Sequence, residues 1–115
     1  MIKNLGYRKL SKTGSHRRAM FANMASSLLI NEKIKTTLPK AMDLRRFADH
    51  VITSAKKGDW AEVRRSTRNN KTAYNKVFEV IAVRYKDRNG GFTKILRIGP
   101  RKGDAAEMVL VKLTE

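Results

Sequence analysis

Leu44, Phe47, Ala48, Val51, Ile52 and Ala55 recur at three- and four-residue intervals between Pro39 and Gly58. That spacing lines apolar side chains along one face of a helix, which must then find a core to lie against. Pro39 fits only the first turn, where its missing N–H would have no intrahelical partner, and Gly58 supplies the left-handed residue that closes a helix. Thr37 and Leu38 compete for the cap position.

The flanking segments read as partners for this helix. Ser15 is placed to cap a helix over about residues 16–30, with Met20, Phe21, Met24 and Leu28 on one face. Residues 33–37 alternate and are rich in Thr and Ile, the pattern of a short strand. Asp59-Trp60-Ala61-Glu62 fits a capping box, predicting a short helix to about residue 68, and Asn69-Asn70 breaks it. Tyr74, Val77, Phe78, Ile81 and Tyr85 share a helical face, although residues 77–83 alone also fit a buried strand. After the turn formers of residues 87–91, residues 92–98 and 108–113 read as two strands pairing as an antiparallel hairpin with a long tip.

Charge decides the class of partner. The chain has 115 residues, with 26 Lys and Arg against 10 Asp and Glu, a formal net charge of +16. No acid occurs between Met1 and Asn31, where Lys3, Arg8, Lys9, Lys12, Arg17 and Arg18 are found. Residues 1–14 therefore read as a basic N-terminal arm and residues 15–115 as a single domain of helices and strands. A compact domain so charged repels itself until a polyanion neutralises it. Arg17 and Arg18 fall in the first turn of the predicted helix, where the macrodipole favours acids. A phosphate held there by free backbone N–H groups and the two guanidinium forks removes that conflict.

The same residues exclude other classes. There is no cysteine, hence no disulfide, thiolate metal site or Cys nucleophile. His16 and His50 lie on different predicted helices without a carboxylate at relay or ligand spacing, and Asp43 and Asp49 are six apart on one helix, not side by side. No metal, cofactor, small-molecule substrate or enzymatic activity is expected. No apolar run is long enough to span a bilayer, so no membrane partner is expected either. A secretory signal or transit peptide is set aside because Asn23, Ser26 and Ser27 interrupt the apolar stretch and its removal would take away a helix the core needs. The expected setting is cytoplasmic, with the mature start at or near Met1.

DNA readers of this size show a helix-turn-helix, a zinc module or a basic zipper at fixed spacing, and none is present. A nucleoid-associated DNA binder is the alternative, but it calls for a dimer surface the sequence does not display. Scattered Arg, Lys, Asn, Ser and Thr suit an irregularly folded RNA recognised by shape and phosphate pattern.

Ile34-Lys35-Thr36-Thr37-Leu38-Pro39-Lys40-Ala41, continuing to Arg45-Arg46, closely resembles the signature of the bacterial-type large-subunit ribosomal protein number seventeen family. Gly6-Tyr7-Arg8-Lys9-Leu10, Ser15-His16-Arg17, Asp87-Arg88-Asn89-Gly90-Gly91-Phe92-Thr93 and Gly103-Asp104-Ala105-Ala106-Glu107-Met108 extend the resemblance over essentially the whole chain. It implies an α+β fold of a helix, a strand, three helices and two strands around a small three-stranded mixed sheet. It further implies a non-enzymatic structural role in the large ribosomal subunit, binding ribosomal RNA near the polypeptide exit tunnel beside neighbouring ribosomal proteins. The RNA contacts it implies are Tyr7, Arg8, Lys9, Ser15, His16, Arg17, Lys35, Thr36, Thr37, Lys40, Arg45, Arg46, Arg88, Gly90 and Gly91; Arg18 joins them on the charge argument. Two stretches depart from the pattern: Met1-Ile2-Lys3 replaces the usual Met-Arg-His, and residues 61–76 match weakly.

Overall fold

A computed structural model describes residues 14–114 of the chain. Its elements follow in the order α1 (Gly14–Asn31), β1 (Lys33–Thr37), α2 (Leu38–Lys56), α3 (Trp60–Ser66), α4 (Lys71–Lys76), a π-helical turn (Val77–Ile81), α5 (Ala82–Arg84), β2 (Thr93–Pro100) and β3 (Glu107–Leu113). Helices form one layer and a three-stranded sheet in the order β1-β3-β2 forms the other.

The apolar stripe of α2 is the centre of the core. Leu44, Ala48, Val51 and Ile52 are fully buried, in one cluster with Leu28 and Leu29 of α1, Val77 and Ile81 of the π turn, and Val109 and Val111 of β3. Each such Val, Leu or Ile side chain removed from water contributes roughly 1.5–3 kcal/mol. Thr37 occupies the cap position of α2, yet its side chain makes no capping bond, and the proline stands in the first turn. At the other end Gly58 has φ +79°. The Gly58 N–H donates to Ala55 O at 3.0 Å and the Asp59 N–H to Ser54 O at 2.9 Å. These two bonds satisfy the last carbonyls of α2 in a Schellman closure.

That closure explains why the predicted capping box is only half formed. Asp59 accepts from the Glu62 N–H at 3.1 Å and caps α3, but its own N–H is already committed to α2. Glu62 is thereby free to turn its carboxylate to His50, Arg65 and Ser66. Ser15 also differs from expectation: it lies inside α1 and is not its cap.

The sheet is antiparallel throughout, not mixed. β3 pairs antiparallel with β1 on one side and with β2 on the other. β1 and β2 do run in the same direction, but β3 separates them, so no parallel ladder forms. Val109, Val111 and Leu113 of β3 face the helices and are buried. The register jumps between Arg97 and Gly99, leaving Ile98 as the extra residue of a bulge. At the hairpin tip Asp104 accepts from the Arg101 guanidinium at 2.6 and 3.1 Å and from the Ala106 N–H at 3.1 Å. The guanidinium and then the backbone N–H hold the Asp104 carboxyl well below the usual carboxylate range.

The expected fourth helix spans α4, the π turn and α5, with Val77 and Ile81 buried. Asn70 caps it, accepting from the Ala73 N–H at 3.2 Å. On its outer side Phe78 stacks on Trp60 with centroids 4.0 Å apart. Phe92 precedes β2 and is buried against Tyr85 at 5.1 Å.

Glu32 ties three elements together. It ends α1 in the left-handed region at φ +66°, a conformation that costs a non-glycine residue roughly 1–2 kcal/mol. Its N–H donates to Leu28 O at 2.7 Å, and its carbonyl accepts from the Leu113 N–H at 3.0 Å. Its carboxylate receives both arms of Arg84 at 2.7 and 3.0 Å and the Lys76 ammonium at 3.0 Å. Lys76 also donates to the terminal carbonyl of Ile30 at 2.7 Å. An acid at a helix C-terminus opposes the macrodipole; two cations reverse that sign here.

The Arg84 hydrogen bonds and then Lys76 hold the Glu32 carboxyl down at about 2, from an ordinary value of 4.5. Because the folded value is the lower one, the clamp's contribution is complete above the unfolded value and is lost as pH falls from about 4.5 to about 2. Glu32→Gln is expected to reduce stability by about 1–2 kcal/mol at neutral pH, discounted for partial exposure. Denaturant titration across pH checks this: the gap should close on acidification, and a gap independent of pH would contradict it. Gly58→Ala meets no steric neighbour, so its expected loss of about 1–2 kcal/mol comes from backbone strain alone and should appear as a lower midpoint in a thermal melt.

Candidate nucleic-acid interface

β1 delivers the chain from the end of α1 to the start of α2, and this short passage brings three elements onto one surface. Met20, Asn23, Met24 and Ser27 of α1, Ile34, Lys35 and Thr36 of β1, and Lys40 of α2 line a groove of about 380 Å³. Lys35 is exposed, Lys40 and Thr37 are half-buried, and Thr36 is almost wholly buried. Lys40 thus supplies the charge, with Lys35 at the rim on the same face of β1 as Lys33, and Asn23 and Ser27 the neutral hydrogen-bonding groups.

One turn further along α2, Arg45 and Arg46 are exposed beside Met42 and line a hollow of about 320 Å³ with Asp43 and Asp49. Asp43 is buried. Burial pushes the Asp49 carboxyl up, against the pull of the Arg45 guanidinium. At the start of α1, Ser15, His16 and Arg18 are exposed and Arg17 is half-buried.

Arg18 faces a different neighbour. With Ala22, Phe47, Glu62, Arg65, Ser66 and Arg68 it lines a hollow of about 290 Å³ between α1 and α3. Three arginines there meet one acid, Glu62. Its carboxyl is drawn below the usual range by His50 at 2.9 Å, helped by Arg65 at 2.7 Å, while burial works the other way. Arg65 and Arg68 lie in the stretch where family resemblance is weak, and only the packing of α3 against α1 and α2 brings them beside Arg18.

The expected residues of the 87–91 turn lie elsewhere. Arg88 donates to Gly91 O at 3.1 Å, and Gly91 has φ +64°. The Lys56 ammonium donates to the Arg88 carbonyl, and Gly90 is exposed. Arg88 lines a separate hollow with Lys94 and Lys112. Tyr7, Arg8 and Lys9 lie outside the described residues.

Where the acids stand explains the polarity of the surface. Glu32 pairs with Lys76 and Arg84, Glu62 with His50 and Arg65, Glu107 with Arg97, and Asp104 with Arg101. Each cation in these pairs lies in α2–α5 or the β2–β3 hairpin. Among the described residues no ion pair engages Arg18, Lys35, Lys40 or Arg45. No group of His, Cys, Asp and Glu suited to a metal ion occurs among the described residues, and no described helix is long and apolar enough to cross a membrane. This surface can neutralise phosphate and donate hydrogen bonds.

Known proteins resemble the chain over its full length. A relative from Elusimicrobium minutum named large ribosomal subunit protein bL17 is 52% identical over 115 residues, covering 100% of both chains. A protein of the same name from Hyphomonas neptunium is 47% identical over 100% of this chain and 84% of its own, and one from Staphylococcus carnosus is 42% identical over 95% of this chain and 99% of its own. The family model described as ribosomal protein L17 matches residues 20–114. Identity at this level across the whole length, joined to the helix-strand-helices-hairpin order above, means that the chain belongs to the ribosomal protein L17 family.

Proposed function

We propose that this chain is a structural, non-enzymatic constituent of the large ribosomal subunit in the cytoplasm, binding large-subunit ribosomal RNA near the polypeptide exit tunnel and stabilising subunit assembly beside neighbouring ribosomal proteins. The observation that carries the reading is the cationic surface of α1, β1 and the first half of α2, where Arg18, Lys35, Lys40 and Arg45 enter none of the ion pairs that engage Glu32, Glu62, Asp104 and Glu107. Relatives named as large-subunit proteins support the setting.

In this reading residues 1–14, with Tyr7, Arg8 and Lys9, form an arm that enters an RNA crevice, and residues 15–115 form the RNA-binding domain. Ser15, His16, Arg17 and Arg18 lie in the first described residues of α1, and a helix N-terminus there would favour a phosphate through its backbone N–H groups and macrodipole. Lys35, Thr36, Thr37 and Lys40 meet the backbone along the groove, and Arg45 and Arg46 neutralise phosphates one helical turn away. Arg88, Gly90 and Gly91 contribute from the far turn. The guanidinium fork matches a phosphate in two bonds, so lysine is a poor substitute at the arginine positions.

Binding driven by phosphate neutralisation releases condensed counterions and weakens as salt rises. About six phosphate contacts give a slope of roughly −4 to −5 for log affinity against log salt. Arg45→Ala with Arg46→Ala should make that slope shallower by about 1.5, with little change in melting temperature because both side chains are exposed. Filter binding on a large-subunit RNA fragment at several salt concentrations measures the slope. A flat response of the wild-type protein would overturn the proposal.

A further inference from the structure

The face of the sheet turned away from the helices carries a row of like charge. Lys112 of the central strand β3 is the register partner of Lys33 on β1 and of Lys94 on β2. Side chains two apart on a strand share a face, and Val111 and Leu113, the neighbours of Lys112, are buried against the helices. The three lysines therefore stand side by side on the outer face. Like charges directly opposite one another in an antiparallel pair destabilise it, and here two such pairs share one lysine.

Protection against edge-to-edge aggregation accounts for lysine on β1 and β2, which are edge strands. It does not account for Lys112, whose strand is paired on both sides. No ion pair among the described residues relieves the row. The nearby acids Glu107 and Asp104 are taken by Arg97 and Arg101. Arg88 adds a fourth positive group, since with Lys94 and Lys112 it lines a hollow of about 370 Å³ at the end of the row.

We propose that this outer sheet face, centred on Lys33, Lys112 and Lys94 with Arg88 at its end, binds the sugar-phosphate backbone of a second RNA segment, so that the protein bridges two segments. This rests on the ribosomal RNA reading above and extends it to a surface on the other side of the sheet from α2. Neighbouring strands lie about 4.8 Å apart, so the row covers roughly 10 Å, the reach of successive phosphates on one strand. The next row favours RNA over an acidic peptide. There Leu110 is flanked by Leu96, 44% exposed, on β2 and by Lys35 on β1, which places apolar surface suited to ribose or a base face beside a further lysine.

The test is the full-length variant Lys33→Gln, Lys94→Gln, Lys112→Gln, compared with wild type on large-subunit ribosomal RNA. Three results are expected together. The free protein should melt a few degrees higher at low salt because repulsion is removed. The salt slope of binding should become shallower by about 2 to 3. Hydroxyl-radical footprinting should lose one of two protected RNA segments while the other persists. An unchanged slope and footprint would overturn the inference, as would a lower melting temperature combined with an unchanged footprint. If the triple variant does not fold, Lys94→Gln on the exposed edge strand decides the matter, with a slope change of about 0.7–0.9 expected and none overturning it. Wild-type protein that fails to bind would instead refute the underlying functional reading. Loss of incorporation into subunits with an intact footprint would assign the face to an acidic protein neighbour and so overturn the RNA proposal.

Discussion

Burying the apolar stripe of α2 against α1, the π turn and β3 fixes where every charged group of this protein can stand. The stripe turns one side of the helix into core, which obliges Arg45 and Arg46 to stay in solvent, and Pro39 sets the entry of α2 so that Lys40 faces the α1–β1 groove. The same packing gives the sheet one covered face and one open face. A chain of this charge would gain nothing from an all-round scatter of lysine, because repulsion would simply accumulate. Instead four of the ten acids are committed at specific joints: Glu32 between α1 and α4–α5, Glu62 between α2 and α3, and Asp104 and Glu107 on the hairpin. What is left over is a cationic surface on firm secondary structure.

Firm placement matters for recognising folded RNA. Sequence-independent phosphate contacts carry no information singly, but a fixed pattern of them selects a shape. The Glu32 clamp holds the end of α1 relative to β3, and the Schellman closure at Gly58 holds the end of α2 relative to α3. Displacing either would move Lys35 and Lys40 or Arg18 and Arg65 relative to one another. Stability and recognition therefore draw on the same few joints, which is why a glutamate that touches no ligand is strained, doubly paired and held ionised into strong acid.

Much of this fold is legible in the sequence where a period repeats. The stripe of α2 with its proline and glycine limits, the strand at residues 33–37 and the hairpin at the end follow from spacing and turn chemistry. The arrangement of the sheet is not legible in that way, because the central position of β3 depends on long-range pairing; the expectation of a mixed sheet fails for that reason. Asp59 shows a subtler limit: its pattern announces a reciprocal cap, but its N–H is claimed by the preceding helix. Of the candidate site, Lys35, Lys40, Arg45 and Arg46 come from a motif and from charge. Arg65 and Arg68 have no sequence signal, since only the packing of α3 brings them beside Arg18. The lysine row on the sheet is likewise invisible without the register, its members lying on three strands far apart in the chain.

The central claim is that Lys35, Lys40 and Arg45, which enter no ion pair among the described residues, are matched by ribosomal RNA. Cross-linking protein to RNA within purified large subunits, with the attached peptides identified by mass spectrometry, tests it most directly. The account predicts nucleotide adducts on peptides containing Lys35, Lys40, Arg45 or Arg46. Adducts confined to α3–α5, or absence of this chain from the purified particles, would contradict it.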